Sequence, residues 1–115
     1  MNYIQYPEDQ IEYIAIFEHS ELANGERINI EIDEHTITVF NIANKYFAIA
    51  DVCSHDNQSL EDGDIENEFE IICPRHGAKF DIRNGKVLAL PANQDIPAYP
   101  IRIINNMVEI GIPIA

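Results

Sequence analysis

Basic residues are scarce in this sequence. Its 115 residues include 7 Lys and Arg against 20 Asp and Glu, for a formal net charge of −13. A chain this acidic repels phosphates, which argues against nucleic-acid binding. It also lacks an apolar run long enough to span a bilayer, a positively charged N-terminal segment and a twin-arginine pair. We therefore expect a soluble, cytoplasmic protein with one domain, 1–115, and no membrane partner.

Cysteine is equally scarce, and each of the two cysteines has a histidine close by in sequence. Cys53 and His55 flank one residue in CSH, while Cys73 and His76 flank two residues in CPRH. In an extended chain the first two side chains project to the same side, because strand side chains alternate with a period of two. The proline inside the second pair and the glycine after it favour a tight turn. The two pairs therefore predict a metal centre.

The residues alone leave more than one kind of centre open. Two cysteines and two histidines on one ion form a zinc ligand set, although usual zinc spacings are longer than the single residue between Cys53 and His55. A disulfide between Cys53 and Cys73 is favoured in an oxidising compartment. Two cysteines on one iron and two histidines on the other are the ligands of a Rieske 2Fe-2S cluster.

The residues around both pairs resemble the motifs of Rieske-type 2Fe-2S ferredoxins, the ferredoxin components of non-haem iron ring-hydroxylating dioxygenase systems. Leu60 and Gly63 stand where the family carries the Leu and Gly of CxHxxxxLxxG. The second motif, CPxHGxxFDxxxG, is matched at Gly77, Phe80, Asp81 and Gly85. The resemblance extends along nearly the whole chain, from the SELANGE segment to the final strand.

The resemblance implies one 2Fe-2S cluster per chain, with four protein ligands. In this family pattern Cys53 and Cys73 bind the inner iron, and His55 and His76 bind the outer iron near the surface. The implied function is that of a soluble electron carrier. It would accept single electrons from a flavoprotein reductase and pass them to a terminal non-haem iron oxygenase.

Other functions remain open at this stage. The small Rieske subunit of an assimilatory nitrite reductase shares these motifs, and similar ferredoxins are linked to iron-sulfur cluster assembly. A zinc-binding interaction module is the alternative from a different class. Catalysis by the chain itself is not expected, because only His19 and His35 remain once the ligands are assigned and no catalytic nucleophile arrangement is left.

Short strands separated by turn signals predict an all-β fold. Isoleucines at 28, 30 and 32 alternate with polar residues, and Ile37 and Val39 alternate with threonines, which is typical of a half-buried hairpin. Further strands are predicted at 11–17, 45–50, 68–72, 86–90, 100–104 and 107–112, and a helical turn is predicted from Ser20. The pattern predicts an antiparallel β-sandwich or barrel. The resemblance makes it Rieske-type, with a small cluster-binding subdomain at about 51–82.

Two further features lie beside the expected ligands. The segment around Pro91 is similar to the proline-containing loop that covers the cluster in this family, or it is an ordinary rigid turn. The segment 61–70 predicts either a docking face for a basic partner or a solvated face that maintains solubility. Its acidic residues are Glu61, Asp62, Asp64, Glu66, Glu68 and Glu70. Arg75 and Lys79 interrupt this acidity next to the second pair.

Two apolar residues predict a low reduction potential. High-potential members of the family carry a serine and a tyrosine whose hydroxyl groups point at the cluster sulfurs, and the corresponding residues here are Ala78 and Phe80. Hydrogen bonds to the sulfurs raise the potential because they stabilise the extra negative charge of the reduced state. Since neither side chain can donate one, we expect a potential of about −150 mV rather than about +300 mV.

Overall fold

The protein consists of short β-strands with little helix. The computed structural model describes residues 2–54 and 59–114. Three short 3-10 helices lie at Tyr3–Gln5, Glu8–Gln10 and His19–Glu21. The strands are β1 Ile11–Glu18, β2 Arg27–Ile32, β3 His35–Ile42, β4 Lys45–Ala50, β5 Ile65–Glu66, β6 Glu70–Ile72, β7 Lys79–Asp81, β8 Val87–Ala89, β9 Ala98–Tyr99, β10 Ile101–Ile104 and β11 Met107–Pro113. Within the described ranges, no helix has the length and apolar character needed to cross a membrane.

The strands form three sheets in which every neighbouring pair is antiparallel. One sheet has the order β1-β11-β10, a second has the order β2-β3-β4-β9, and the third has the order β5-β6-β7-β8. The predicted all-β class and the predicted hairpin of β2 and β3 are confirmed. The domain limits 1–115 and the subdomain at about 51–82 stay predictions.

Strands long enough to display alternation were predicted well, and very short strands were not. β4 has the predicted bounds, and β1 and β11 extend one residue beyond theirs. β5, β7 and β9, with two or three residues each, were missed because so few residues show no period. The strand predicted at 68–72 begins only at Glu70, since Asn67 and Glu68 adopt positive φ in the turn that precedes it.

The sheet β2-β3-β4-β9 is central, because it is buried on both of its faces. Phe40, Ile49 and Ala98 point into a first core cluster that also holds residues of the β5-β6-β7-β8 sheet. Their neighbours Val39 and Ala48 point the other way, into a second core cluster shared with β1 and β11. This arrangement follows from the alternation of side chains along a strand. Each fully buried Ile or Phe contributes roughly 1.5–3 kcal/mol of hydrophobic stabilisation.

Candidate metal centre

Cys53 and Cys73, the two predicted thiolate ligands, lie together in the first core cluster. Their exposed fractions are 0% and 1%, and the structure records both as thiols rather than as a disulfide. Cys53 follows the end of β4 in the central sheet, and Cys73 directly follows β6 in the small sheet. The two thiols therefore reach one apolar region from two different sheets.

A tight turn carries the second predicted pair. The backbone N–H of Cys73 donates to the carbonyl oxygen of Ala78 at 2.7 Å, and the N–H of Gly77 donates to the carbonyl oxygen of Cys73 at 3.1 Å. Gly77 has a φ of +78°, in the left-handed region that residues with a β-carbon rarely adopt. His76 lies on this turn and is exposed, while Cys73 is buried. This pair thus extends from the core to the surface.

The first predicted pair is described in part. Cys53 and Ser54 are placed, whereas His55 lies outside the described residues. The hydroxyl of Ser54 donates to the carbonyl oxygen of Gln94 at 2.6 Å. Ala92, in the same segment as Gln94, is buried in the first core cluster with both cysteines. The segment after Pro91 therefore contacts the first ligand loop, and its role as a cover over the cluster stays a prediction.

Leu60 and Gly63 form a compact turn beside the cysteines. The Leu60 side chain is 1% exposed and belongs to the first core cluster. Its N–H donates to Asp51 Oδ1 at 2.8 Å, and its carbonyl oxygen accepts from the N–H of Gly63 at 2.9 Å. A β-carbon on Gly63 would collide with the carbonyl oxygen of Ile72. The motif spacing therefore places an apolar side chain in the same core cluster as the thiols and requires glycine where the turn meets the small sheet.

Ala78 and Phe80, the residues that bear on the potential, are both fully buried in the cluster that holds the cysteines. Phe80 lies opposite Ile71 across β7 and β6. Their surroundings are apolar, and neither side chain carries a hydrogen-bond donor. The structure thus places both positions in the same core cluster as the thiols, and the low potential stays a prediction.

Asp81 organises the turn that follows β7. It is 8% exposed and accepts hydrogen bonds from the backbone N–H, Nε and Nη2 of Arg83 at 2.9, 3.1 and 2.9 Å. Burial opposes ionisation of Asp81, but the hydrogen bonds from Arg83 and the charges of Arg83 and Lys86 outweigh burial and hold the pKa of this carboxyl below its ordinary value. The carbonyl oxygen of Asp81 accepts from the N–H of Gly85 at 2.7 Å, which closes the turn.

The acidic segment 61–70 is mostly at the surface. Glu61, Asp62, Asp64, Glu66 and Glu68 are exposed, and Glu70 is half-buried. Lys79 Nζ lies 3.0 Å from Glu66 Oε2, and this hydrogen bond and the charge of Glu66 raise the pKa of Lys79. Such an exposed pair adds little stability. Lys79 therefore offsets part of the local negative charge.

Three residues beside the first ligand loop were not identified from sequence: Arg27 and Asp51 contact segment 59–63, and Asn29 contacts Asp51. The alternation along β2 indicates only that Asn29 lies on the polar face of a half-buried strand. The sequence signal for these contacts was weak, because it consisted only of an arginine and an asparagine two residues apart on one strand face.

The donor set fits a 2Fe-2S cluster. Within residues 2–54 and 59–114, no three ligand-type side chains converge on a single ion. A Rieske cluster requires two protein ligands on each iron, thiolates on one and imidazoles on the other. Two buried thiols and an exposed imidazole match a cluster with one iron inside the protein and the other at the surface.

Comparison with known proteins points to one family. A family model described as the Rieske [2Fe-2S] domain matches residues 12–100. The 3-phenylpropionate/cinnamic acid dioxygenase ferredoxin subunit of Shigella boydii serotype 4 (strain Sb227) is 33% identical over 94 residues, which cover 82% of this chain and 88% of that protein.

Solved structures agree with this match. The ferredoxin of carbazole 1,9a-dioxygenase from Nocardioides aromaticivorans IC177 is 26% identical with a TM-score of 0.78, and the match covers 85% of this chain and 95% of that chain. The Sphingomonas yanoikuyae B1 ferredoxin is 28% identical with a TM-score of 0.77, over 89% of this chain and 100% of that chain. The chain is therefore a member of the Rieske family, an electron-transfer ferredoxin with one 2Fe-2S cluster, and not an enzyme in its own right.

Proposed function

We propose that this ferredoxin passes single electrons from a flavoprotein reductase to a terminal non-haem iron oxygenase in the cytoplasm. The observation that carries the proposal is the contrast between two buried cysteines and an exposed histidine on the same site. The curated relative described above is a dioxygenase ferredoxin subunit, which favours an oxygenase as the acceptor. Its name favours this assignment over a nitrite reductase subunit or a protein of iron-sulfur cluster assembly.

In this proposal four residues hold the cluster. Cys53 and Cys73 bind the inner iron, and His55 and His76 bind the outer iron. The assignment of the cysteines and His76 rests on the motif together with their burial, and the assignment of His55 rests on the motif alone. Zinc at these residues would not suit a family whose cofactor is a 2Fe-2S cluster.

The two sides of the site have different roles. A bound cluster would supply one-electron redox chemistry at this site. Leu60, Ile71 and Phe80 surround the cysteines with apolar atoms and exclude water from the thiolates. His76 lies on the exposed side of the site, so a partner comes nearest to the cluster there. We therefore expect docking to take place over His76.

Charge indicates the kind of partner surface. The chain carries a formal charge of −13, and the exposed acidic residues of 61–70 lie between the two ligand motifs in sequence. A reductase or oxygenase with Lys and Arg around its docking site would associate faster through electrostatic steering. The complex should be weak and short-lived, as is usual for electron carriers.

Metal analysis and spectroscopy test the cofactor site. Protein produced with ample iron should contain about two irons and two sulfides per chain and give a Rieske-type paramagnetic signal when reduced. Cys53→Ser, Cys73→Ser, His55→Ala and His76→Ala should each remove the signal, whereas His19→Ala, at an exposed residue outside both motifs, should keep it. Colourless protein with stoichiometric zinc would overturn the assignment.

A second experiment tests the partners. The reduced protein is mixed under anaerobic conditions either with a ring-hydroxylating oxygenase or with the large subunit of an assimilatory nitrite reductase, and its reoxidation is followed by visible absorbance. Fast reoxidation by the oxygenase alone is expected. Fast reoxidation by the nitrite reductase alone would reassign the protein.

A further inference from the structure

The polar face of β2 is turned toward the segment 59–63, which follows the first ligand pair. Arg27 Nη1 donates to the carbonyl oxygens of Glu61 at 2.9 Å and of Gly63 at 2.8 Å. Asn29 lies two residues along the strand and therefore on the same face, and its Nδ2 donates to Asp51 Oδ2 at 2.7 Å. The polar residues that alternate with isoleucine on β2 thus include two that contact the cluster-binding region.

Asp51 connects the other end of segment 59–63 to the central sheet. Its Oδ1 accepts from the N–H of Leu60 at 2.8 Å, and its Oδ2 accepts from the hydroxyl of Ser59 at 2.8 Å. Its own N–H donates to the carbonyl oxygen of Thr36 in β3 at 2.9 Å. Cys53 follows Asp51 by two residues. One carboxylate therefore fixes the chain on both sides of the first ligand pair.

These contacts are of the stronger kind. Hydrogen bonds in which one group is ionised contribute more than neutral ones, and those made by the Arg27 guanidinium and by the Asp51 carboxylate are of this kind. The Arg27 guanidinium also lies 5.5 Å from the centre of the Phe40 ring, which restricts its position. Leu60, between the two attachment points, has its side chain in the core cluster with Cys53 and Cys73.

We propose that Arg27 and Asp51 are positioning residues, which fix segment 59–63 and, through Leu60 and Cys53, determine how firmly the cluster is retained and at what potential it is reduced. This inference rests on the proposed function, because it requires a cluster bound through Cys53. Arg27 and Asp51 themselves bind no iron. They act by keeping the apolar cover and the thiolate in place.

A matched pair of arginines separates positioning from general stability. Arg102 in β10 also pairs with an acceptor and an aromatic ring, with Nε 2.7 Å from Glu109 Oε1 and the guanidinium 3.9 Å from the centre of the Tyr13 ring. Both of these contacts lie in the β1-β11-β10 sheet, away from segment 59–63. Arg27→Met and Arg102→Met keep an unbranched apolar stem and remove the same donors.

Cluster loss is measured at a temperature where circular dichroism shows both variants folded, by the decay of visible absorbance with excess chelator. Arg27→Met should lose its cluster roughly tenfold faster than wild type, a factor that corresponds to about 1.4 kcal/mol. Its reduction potential and the g-values of the reduced protein should also shift. Arg102→Met should match wild type in all of these measurements.

An exchange of polarity tests Asp51. Asp51→Asn places an NH2 group against the NH2 of Asn29, so that variant should also lose its cluster faster. Adding Asn29→Asp to Asp51→Asn restores one donor and one acceptor, and cluster retention should recover in part. Equal loss from the double and the single variant would overturn this role for Asp51.

The outcomes distinguish the two levels of the argument. Wild-type protein without a 2Fe-2S cluster would refute the proposed function. If the wild-type protein holds a cluster, but Arg27→Met and Arg102→Met do not differ in rate of cluster loss, reduction potential or g-values, only the positioning role is refuted.

Discussion

A serine in place of Ala78 should raise the reduction potential. Ala78 has an exposed fraction of 0% and lies in the core cluster that contains Cys53 and Cys73. Its carbonyl oxygen accepts from the N–H of Cys73 at 2.7 Å, so its backbone is fixed next to one proposed ligand. A hydroxyl group added to its β-carbon would therefore stand within the surroundings of the thiolates.

The size of the effect follows from the energy of one hydrogen bond. A net contribution of about 1 kcal/mol, made only to the more negative reduced state, raises a one-electron potential by about 40 mV, since 59 mV corresponds to a factor of ten in the equilibrium constant. Phe80→Tyr, also at a fully buried position, should raise the potential by a similar amount. The wild type should have a reduction potential of about −150 mV.

Voltammetry of the wild type and both variants gives the potentials, and urea denaturation gives the free energies of unfolding. Ala48→Ser is the matched control, because Ala48 is 2% exposed but lies in the second core cluster, which contains no cysteine. The control should leave the potential unchanged. If Ala78→Ser kept the wild-type potential and lost about 1–3 kcal/mol of stability, its hydroxyl would be buried without a partner and the argument would fail. A wild-type potential well above zero would contradict it directly.

Three further predictions concern the turns and the surface. Gly63→Ala should destabilise the protein by about 3 kcal/mol or more in urea denaturation, because the added β-carbon meets a backbone oxygen. Gly77→Ala has open space around the added β-carbon, and it should lower the free energy of unfolding by only about 1 kcal/mol because of the positive φ at this residue. Electron transfer to the partner should slow as salt rises, since screening limits the field to about 10 Å at 0.1 M, and Asp62→Asn with Asp64→Asn should weaken this dependence more than Glu8→Gln with Glu12→Gln. The folded-state pKa of Asp81 is lowered, so the stabilisation that its ionised form provides is complete above the unfolded pKa of about 3.9 and is lost as the pH falls through the folded pKa. The difference in unfolding free energy between wild type and Asp81→Asn should therefore shrink below about pH 4.

The parts of the fold that the sequence predicted are those fixed by local pattern. Alternation of isoleucine with polar residues located β2, alternation of Ile37 and Val39 with threonines located β3, and β4 was predicted with its observed bounds. The strands β5, β7 and β9 could not be predicted this way, because each is defined by its partners rather than by its own two or three residues. The same limit explains why the central sheet, buried on both faces, was not foreseen.

The ligands of the metal centre could be predicted from the sequence, but the residues that fix the ligand loops could not. The spacing of Cys53, His55, Cys73 and His76 predicts a centre, and the structure adds that both thiols are buried while the imidazole of His76 is exposed. The contacts of Arg27 could not be read from sequence, because Arg27 lies 34 residues from Glu61 and only the packing of the loop on the edge strand β2 brings them together. Local motifs therefore predict the ligands, whereas the contacts that fix the ligand loops can be seen only in the tertiary structure.

The cysteines come from different sheets, and this has a consequence for stability. Cys53 follows the central sheet and Cys73 follows β6 of the small sheet, and they meet in the core cluster that joins the two sheets. A cofactor bound to both therefore cross-links these sheets, and its binding free energy adds to the stability of the folded state. The second core cluster, between the central sheet and β1-β11-β10, contains no cysteine. Cluster loss should thus weaken the contact between the small and central sheets first, while the sheets on either side of the second cluster keep their apolar contacts.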